Sequence, residues 1–444
     1  MLAAGPDPVD LAGSLGNLAE ALRSRLVRSW SVADEEKMIT TYRRAAEGAE
    51  PSTPMWFDLR NNLGIALEQR FEHRGEVADL DEAIGIFDTT VPLLRDDPAE
   101  RAIHLSGRGN AWRRRHRHDQ AVDSIDRAVA DYRTAAAPAP ADRGTHRLSL
   151  ANALIDRFHL LGELPDLDEA IDPYQSAVTL LPRQDDRRAG VLTSLANAYS
   201  DRWDSARERT DLAAAIETQE QAVALTRHGS EDWPGHLSNL GNRYLARFDA
   251  AGDVADVDTA IRHQDDAVAA TPATSDELPR HLNNLAIALR ARYDLIGDPA
   301  DLDRTVEAGG RAVMAAPAES PDLAGLLTTW GSALIARYRR FERLPDLATA
   351  NDALRQAYDA AKASPHNAII SAGLANALKA RYDNTHDPAD LDEAIRLHER
   401  ALRMRLNRHE LLLHRSGLAN ALSDRYDRDH DRGAGPYRAP RERW

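Results

Sequence analysis

The chain has 444 residues, no cysteine and a formal net charge of −15. The missing thiols exclude disulfides, thiolate metal sites and cysteine nucleophiles and agree with a reducing, cytoplasmic setting, and the acid excess disfavours a general nucleic-acid binder. The opening MLAAGPDPVD has no basic stretch leading into an apolar run, so no secretory leader is expected, and no run of about 18 apolar residues offers a membrane span.

One arginine returns ten times: Arg25, Arg70, Arg115, Arg157, Arg202, Arg247, Arg292, Arg337, Arg381 and Arg425. The steps are 45, 45, 42, 45, 45, 45, 45, 44 and 44 residues, so the chain reads as a stack of equivalent units. β-Branched residues are sparse, and glycine and proline fall mostly between periodic segments. Both point to helices throughout.

The first unit is degenerate: Asp34-Glu35-Glu36 replaces the usual acidic phrase, and Met38 stands where later units have alanine. A terminal unit has one unpartnered face and can drift in this way. In the third unit RGNAWRRRHRHD is the densest basic stretch, with Arg108, Arg113, Arg114, Arg115 and Arg117. Without interleaved aromatic platforms it reads as a solvated helix end before a single-strand nucleic-acid site.

The sixth unit shows the pattern most clearly. HLSNLGNRYLARF puts Leu237, Leu240, Tyr244 and Phe248 on one helical face, Gly252-Asp253 interrupts, and a second helix carries Val257, Ala260, Ile261, Ala267 and Val268. Pro272 closes the hairpin. The residue six before each arginine is always small (Ala19, Gly64, Gly109, Ala151, Ala196, Gly241, Ala286, Gly331, Ala375, Ala419), which predicts close helix crossings. Nine residues after their arginines stand Asp79, Asp166, Asp211, Asp256, Asp301, Asp346 and Asp390, read as N-caps of the second helices. Glu82, Glu169 and Glu393, three residues further on, would complete capping boxes.

The arginine row is expected to pair with those aspartates or with loop carbonyls, lining the stack with ionic contacts. A second row is the better candidate for binding: asparagine recurs five residues before the arginine, as Asn110, Asn152, Asn197, Asn242, Asn376 and Asn420. With Asn239, Asn283, Asn284, Arg290 and Lys379 nearby, it outlines a candidate peptide groove centred on the sixth and seventh units. The same asparagines could instead bond between neighbouring helices. Histidines show no metal signature, and no phosphate loop or nucleophile elbow is present, so no cofactor and no catalytic residue are assigned. Met314, Trp112, Trp203 and Trp330 occupy helical packing positions and read as core.

The unit resembles the tetratricopeptide repeat. Leu240-Gly241, Tyr244, Ala260, Ala267 and Pro272 match that family's motif positions across essentially the whole chain, although its usual unit is about 34 residues. The added length is assigned chiefly to the intra-hairpin turn. The longer repeats of kinesin-light-chain-like proteins and of actinobacterial proteins with LANAL…RY…DLDEAI phrases are more similar. The resemblance implies an all-α, right-handed superhelix of nine hairpins plus a terminal helix, spanning 1–427, with a flexible Gly/Pro/Arg-rich tail at 428–444. It implies a non-enzymatic scaffold whose concave surface binds a protein or peptide and regulates an effector on another chain. The alternatives are a self-associating structural solenoid and, further off, a helical-toroid enzyme of the glycoside-processing kind. A carboxylate clamp is not expected, because Ser106, Leu148, Thr193, Ser238, Ala372 and Ser416 stand where it would need lysine.

Overall fold

A computed structural model describes residues 8–137, 143–182, 185, 187–361, 367–404 and 406–431. The chain divides into two compact units, 1–225 and 226–444. The first holds five hairpins: α1 (Pro8–Arg28) with α2 (Val32–Gly48), α3 (Pro54–Arg74) with α4 (Val77–Thr90), α5 (Pro98–Asp119) with α6 (Val122–Ala136), α7 (Arg143–Leu161) with α8 (Leu164–Leu180), and α9 (Arg187–Ala206) with α10 (Arg209–Leu225). The second holds α11 (Trp233–Ala251) with α12 (Val254–Ala270), α13 (Leu278–Ile296) with α14 (Pro299–Ala315), α15 (Leu323–Phe341) with α16 (Leu344–Ala360), α17 (Asn367–Thr385) with α18 (Pro388–Ala401), and the unpaired α19 (Arg408–Asp431). Within each unit consecutive helices pack on one another, and first helices also meet across hairpins, α3 on α5 and α13 on α15. The described part is thus an all-α solenoid of nine hairpins and a terminal helix.

The extra repeat length lies in the helices, correcting the sequence expectation. Only Gly252 and Asp253 separate α11 from α12, whereas first helices run to 22 residues and most second helices to 17. The turn needs a left-handed residue, supplied by Gly75, Gly162, Gly252 and Gly297 in four hairpins. Gln120, Arg207, Glu342 and His386 take the same conformation in four others, at a steric cost.

In most hairpins the first helix seats a knob from the second. The small residue lies 23 positions before that knob, so Gly64 lies under Phe87, Gly109 under Tyr132, Gly241 under Gln264 and Gly331 under Leu354. A Cβ on Gly64 would approach the Phe87 ring to 2.6 Å. Replacing Gly64 with alanine is therefore expected to destabilise by about 1–3 kcal/mol, overriding the gain of about 1 kcal/mol in helix propensity. Gly190, in α9 with nothing near its Cβ direction, keeps that gain. Urea unfolding of Gly64→Ala and Gly190→Ala should move in opposite directions; equal shifts would mean the crossing tolerates bulk.

In the seventh hairpin the knob position itself is Gly309, and the space is filled from the next first helix, where Trp330 comes within 3.2 Å of a Cβ built there. Met314 corrects the expectation of a core residue, being largely exposed at the end of α14, where the apolar stripe has turned to solvent.

The recurrent aspartates do not cap their helices. Asp79, Asp166, Asp211, Asp256, Asp301, Asp346 and Asp390 are each the third residue of the second helix, buried, and their carboxylates face the arginine nine residues earlier. Arg292 Nε and Nη2 reach the two oxygens of Asp301 at 2.8 and 2.5 Å, and Arg70, Arg157, Arg202, Arg247, Arg337 and Arg381 make the same two-pronged contact. A carboxylate held this way cannot turn back to a free backbone N–H. Its place in the first turn also suits the positive end of the helix dipole. Where a side chain does cap, it stands three residues earlier: Asp253, Asp298 and Asp387 accept from the N–H two residues on.

The third guanidinium nitrogen reaches the preceding hairpin, where Arg202 meets Asp168 at 2.8 Å, Arg292 meets Asp258 at 2.7 Å and Arg337 meets Asp303 at 3.1 Å. One arginine thereby ties its own hairpin shut and to its neighbour. Arg115 departs from the pattern because Ser124 stands where the aspartate would, and Asp119 and Asp81 take the guanidinium instead. Glu82, Glu169 and Glu393 likewise make inter-hairpin pairs with Arg43, Arg133 and Arg355, not capping boxes. Of the expected tail, 428–431 continues α19 and 432–444 lies outside the described residues.

Candidate binding face

In the first unit the face shared by first helices is laced with ion pairs. Arg114 on α5 reaches Glu68 at 2.6 Å and Glu72 at 2.8 Å on α3, Arg113 reaches Asp156 on α7 at 2.5 Å, and His159 meets Asp201 on α9 at 3.1 Å. Burial pushes the Glu68 carboxyl up to about 8 against the opposing pull of Arg114. Two further arginines of the basic stretch are engaged: Arg108 is held by Asp131 and Asp88, and Arg117 lies 3.7 Å from Asp156. Each arginine of the densest basic stretch therefore has a carboxylate partner within the fold.

The asparagine row has a structural partner in the knob. Tyr132 donates its hydroxyl to Asn110 Oδ1 at 2.6 Å, Tyr174 to Asn152 at 2.7 Å, and Gln264 Nε2 donates to Asn242 at 2.8 Å. Each asparagine stands 22 residues before a knob with a polar tip. Where the knob is Phe87, the corresponding residue is Ile65. Around Gln264 the network widens: Ser238 Oγ donates to Gln264 Oε1 at 2.9 Å, and Asn284 Nδ2 donates to Ser238 Oγ at 3.0 Å.

The other candidates scatter. Asn197 is exposed on α9, and Asn239 is half-buried with its carbonyl accepting from Arg243. Arg290 pairs with Asp294 at 2.8 Å. Asn376 and Lys379 are brought together in a polar cavity of about 380 Å³ formed with α18 and α19. There Lys379 bridges Asp383 and Asp424, both at 2.6 Å; burial pulls its pKa down, but the two carboxylates together raise it.

Asn283 is different. It lines a cleft of about 530 Å³ where α13, α15 and α17 meet, and its Oδ1 is buried with no hydrogen-bond partner among the described residues. The walls are mainly apolar, with Pro279, Pro317, Pro321, Ile369 and Ile370 prominent. Two exposed carboxylates, Asp276 and Asp322, stand at the rim, while the nearby Arg280 is held by Glu277. Sequence reasoning found Asn283 but not these walls. Pro317 and Pro321 sit in the link between α14 and α15 and Pro279 in the first turn of α13, places that the apolar periodicity does not mark.

In each unit the described helices stack as hairpins into an all-α solenoid. No family profile and no curated protein matches this chain. Solved structures of similar shape include BtubC from P. vanneervenii, at 18% identity over 55% of this chain and 91% of that one, with a TM-score of 0.40. A human IFIT1 dimer with PPP-AAAA is 17% identical over 89% and 87% of the two chains, with a TM-score of 0.45. A tetratricopeptide repeat protein from Parabacteroides merdae is 15% identical over 72% and 99%, with a TM-score of 0.40. Among the described residues, no helix is long and apolar enough to cross a membrane, and no group of three or more histidines and carboxylates could hold a metal ion.

Proposed function

We propose that this chain is a non-enzymatic cytoplasmic scaffold that binds a protein or peptide segment on the first-helix face of residues 226–444. The observation that carries the reading is the cleft between α13, α15 and α17: apolar walls, open to solvent, around a buried carbonyl that wants a donor. The ion-pair lacing of α3, α5, α7 and α9 supports the contrast, because those side chains already have partners. Regulation of an effector on another chain is the role such a scaffold would serve.

Selection of random peptides displayed on phage against the purified full chain tests this. Enriched peptides are expected to lose binding to Ile369→Glu and to Asn283→Leu, and to keep it with Asn110→Ala, whose side chain serves the Tyr132 knob. Peptides that ignore both cleft substitutions would place binding elsewhere and end this reading of the cleft.

A further inference from the structure

Resting on that reading, we infer that the cleft takes an extended peptide segment that sets an apolar side chain between lysines or arginines. Three features of the cleft specify this chemistry.

The first is the wall. Ile369 and Ile370 from α17, Leu326 from α15 and the proline rings of the inter-hairpin links enclose a volume suited to one or two large apolar side chains. Ile369 is exposed although its neighbours on the helix are buried, so covering it removes apolar surface from water.

The second is the orphaned acceptor. Asn283 Oδ1 is out of solvent and lacks a donor, and the nearby Pro279, Pro317 and Pro321 have no N–H to offer. A buried carbonyl without a donor is costly, and a rotation of the Asn283 side chain toward the cleft would let the backbone N–H of an extended segment supply one. Asn284, one residue on, is already tied to Ser238, which separates the two neighbouring asparagines by role.

The third is charge. Asp276 and Asp322 are exposed at the rim, and neither carboxylate has a hydrogen-bond or ion-pair partner among the described residues. Among the described residues lining the cleft the one basic side chain is Arg280, and Glu277 holds it at both Nε and Nη2. Among the described residues the rim is therefore net negative. It favours a cationic flank and repels an acidic one.

Fluorescence anisotropy with the full chain and three labelled, end-blocked octapeptides tests the assignment. The probes are Gly-Ser-Lys-Phe-Lys-Val-Ser-Gly, its counterpart with both lysines changed to glutamate, and its counterpart with Phe and Val changed to serine. Only the first is expected to bind measurably. Asn283→Leu should weaken it about tenfold. Asp276→Asn with Asp322→Asn should weaken it about fivefold at low salt, a difference that disappears at high salt. Circular dichroism of each variant checks that the helices persist.

Equal binding of the acidic peptide, lost on Ile369→Glu, would overturn the charge assignment and leave the cleft as a binding surface. Lysine-peptide binding that survives both Ile369→Glu and Asn283→Leu would be charge attraction away from the cleft and would overturn the inference. If none of the three binds while phage-selected peptides of other chemistry still depend on Ile369, this inference fails and the broader function stands.

Discussion

Replacing Arg292 with alanine is expected to cost about 3–5 kcal/mol of stability, because it leaves a buried carboxylate without its counter-charge. Asp301 is only 2% exposed, and both of its oxygens are held by Arg292, whose remaining nitrogen bonds Asp258 of the preceding hairpin. The hydrogen bonds that Arg292 donates to Asp301 hold the guanidinium pKa above its ordinary value, although burial works against them. Arg25 makes a useful contrast, since its side chain is largely exposed where it meets Asp34, and Arg25→Ala should change stability by about 1 kcal/mol or less. Lysine at 292 should recover only part of the loss, since an ammonium cannot make the parallel contact and reach Asp258 as well. Converting the pair together, Arg292→Met with Asp301→Leu, should regain most of it, because no charge is then left buried. Urea unfolding followed by circular dichroism measures all four. A loss below about 1 kcal/mol for Arg292→Ala would show that the row contributes little to holding the hairpins together.

Acid should release the terminal helix. The His398 and His414 rings are buried where α18 meets α19, with their Nδ1 atoms 3.0 Å apart, and His414 Nε2 lies 3.0 Å from the Ala368 carbonyl. A neutral chain of donors satisfies this geometry: His414 Nε2–H donates to Ala368, and His398 Nδ1–H donates to the bare Nδ1 of His414. A further proton on His414 would set two N–H groups against each other. Burial pushes His398 down to about 4 and lowers His414 as well, while Glu410 favours the charged form of His414. His104 and His281 are also buried at about 4 by desolvation, each with Nδ1 against a threonine hydroxyl.

An unfolded histidine titrates near 6.5, so between 6.5 and 4 the unfolded chain binds more protons than the fold. The neutral rings therefore leave stability intact above about pH 6.5. It drains away as pH falls toward 4, by up to about 3 kcal/mol for each ring shifted that far. Hydrogen exchange at pH 7 and pH 5 should show 408–431 losing protection before the body of residues 226–385. His398→Leu should blunt that response, and unchanged exchange in α19 across this range would refute it.

Much of the architecture was legible because the repeat states it ten times. A small residue six before each arginine marks the crossing, since helix axes can approach only where no side chain intervenes, and Gly64, Gly109, Gly241 and Gly331 all lie under knobs. The pairing of the arginine row with Asp79 and its equivalents was legible in the spacing, and the contacts are there. What the spacing hid was that these aspartates, though placed at the start of a helix, do not also cap it. The asparagines pose a different problem. Asn152 looks free in sequence because its partner, Tyr174, is 22 residues away on another helix. The cleft was harder still, since Pro317, Pro321, Ile369 and Ile370 come from separate hairpins and share no periodic position.

The borrowed tryptophan carries a lesson for anyone who would shuffle these modules. A hairpin whose knob is its own carries the filling of its crossing with it when it is duplicated or moved within the array. The one bearing Gly309 does not, since its socket is plugged by Trp330 from downstream. Grafted elsewhere without that residue it would import a void, so the smallest portable piece at this point of the array is three helices long.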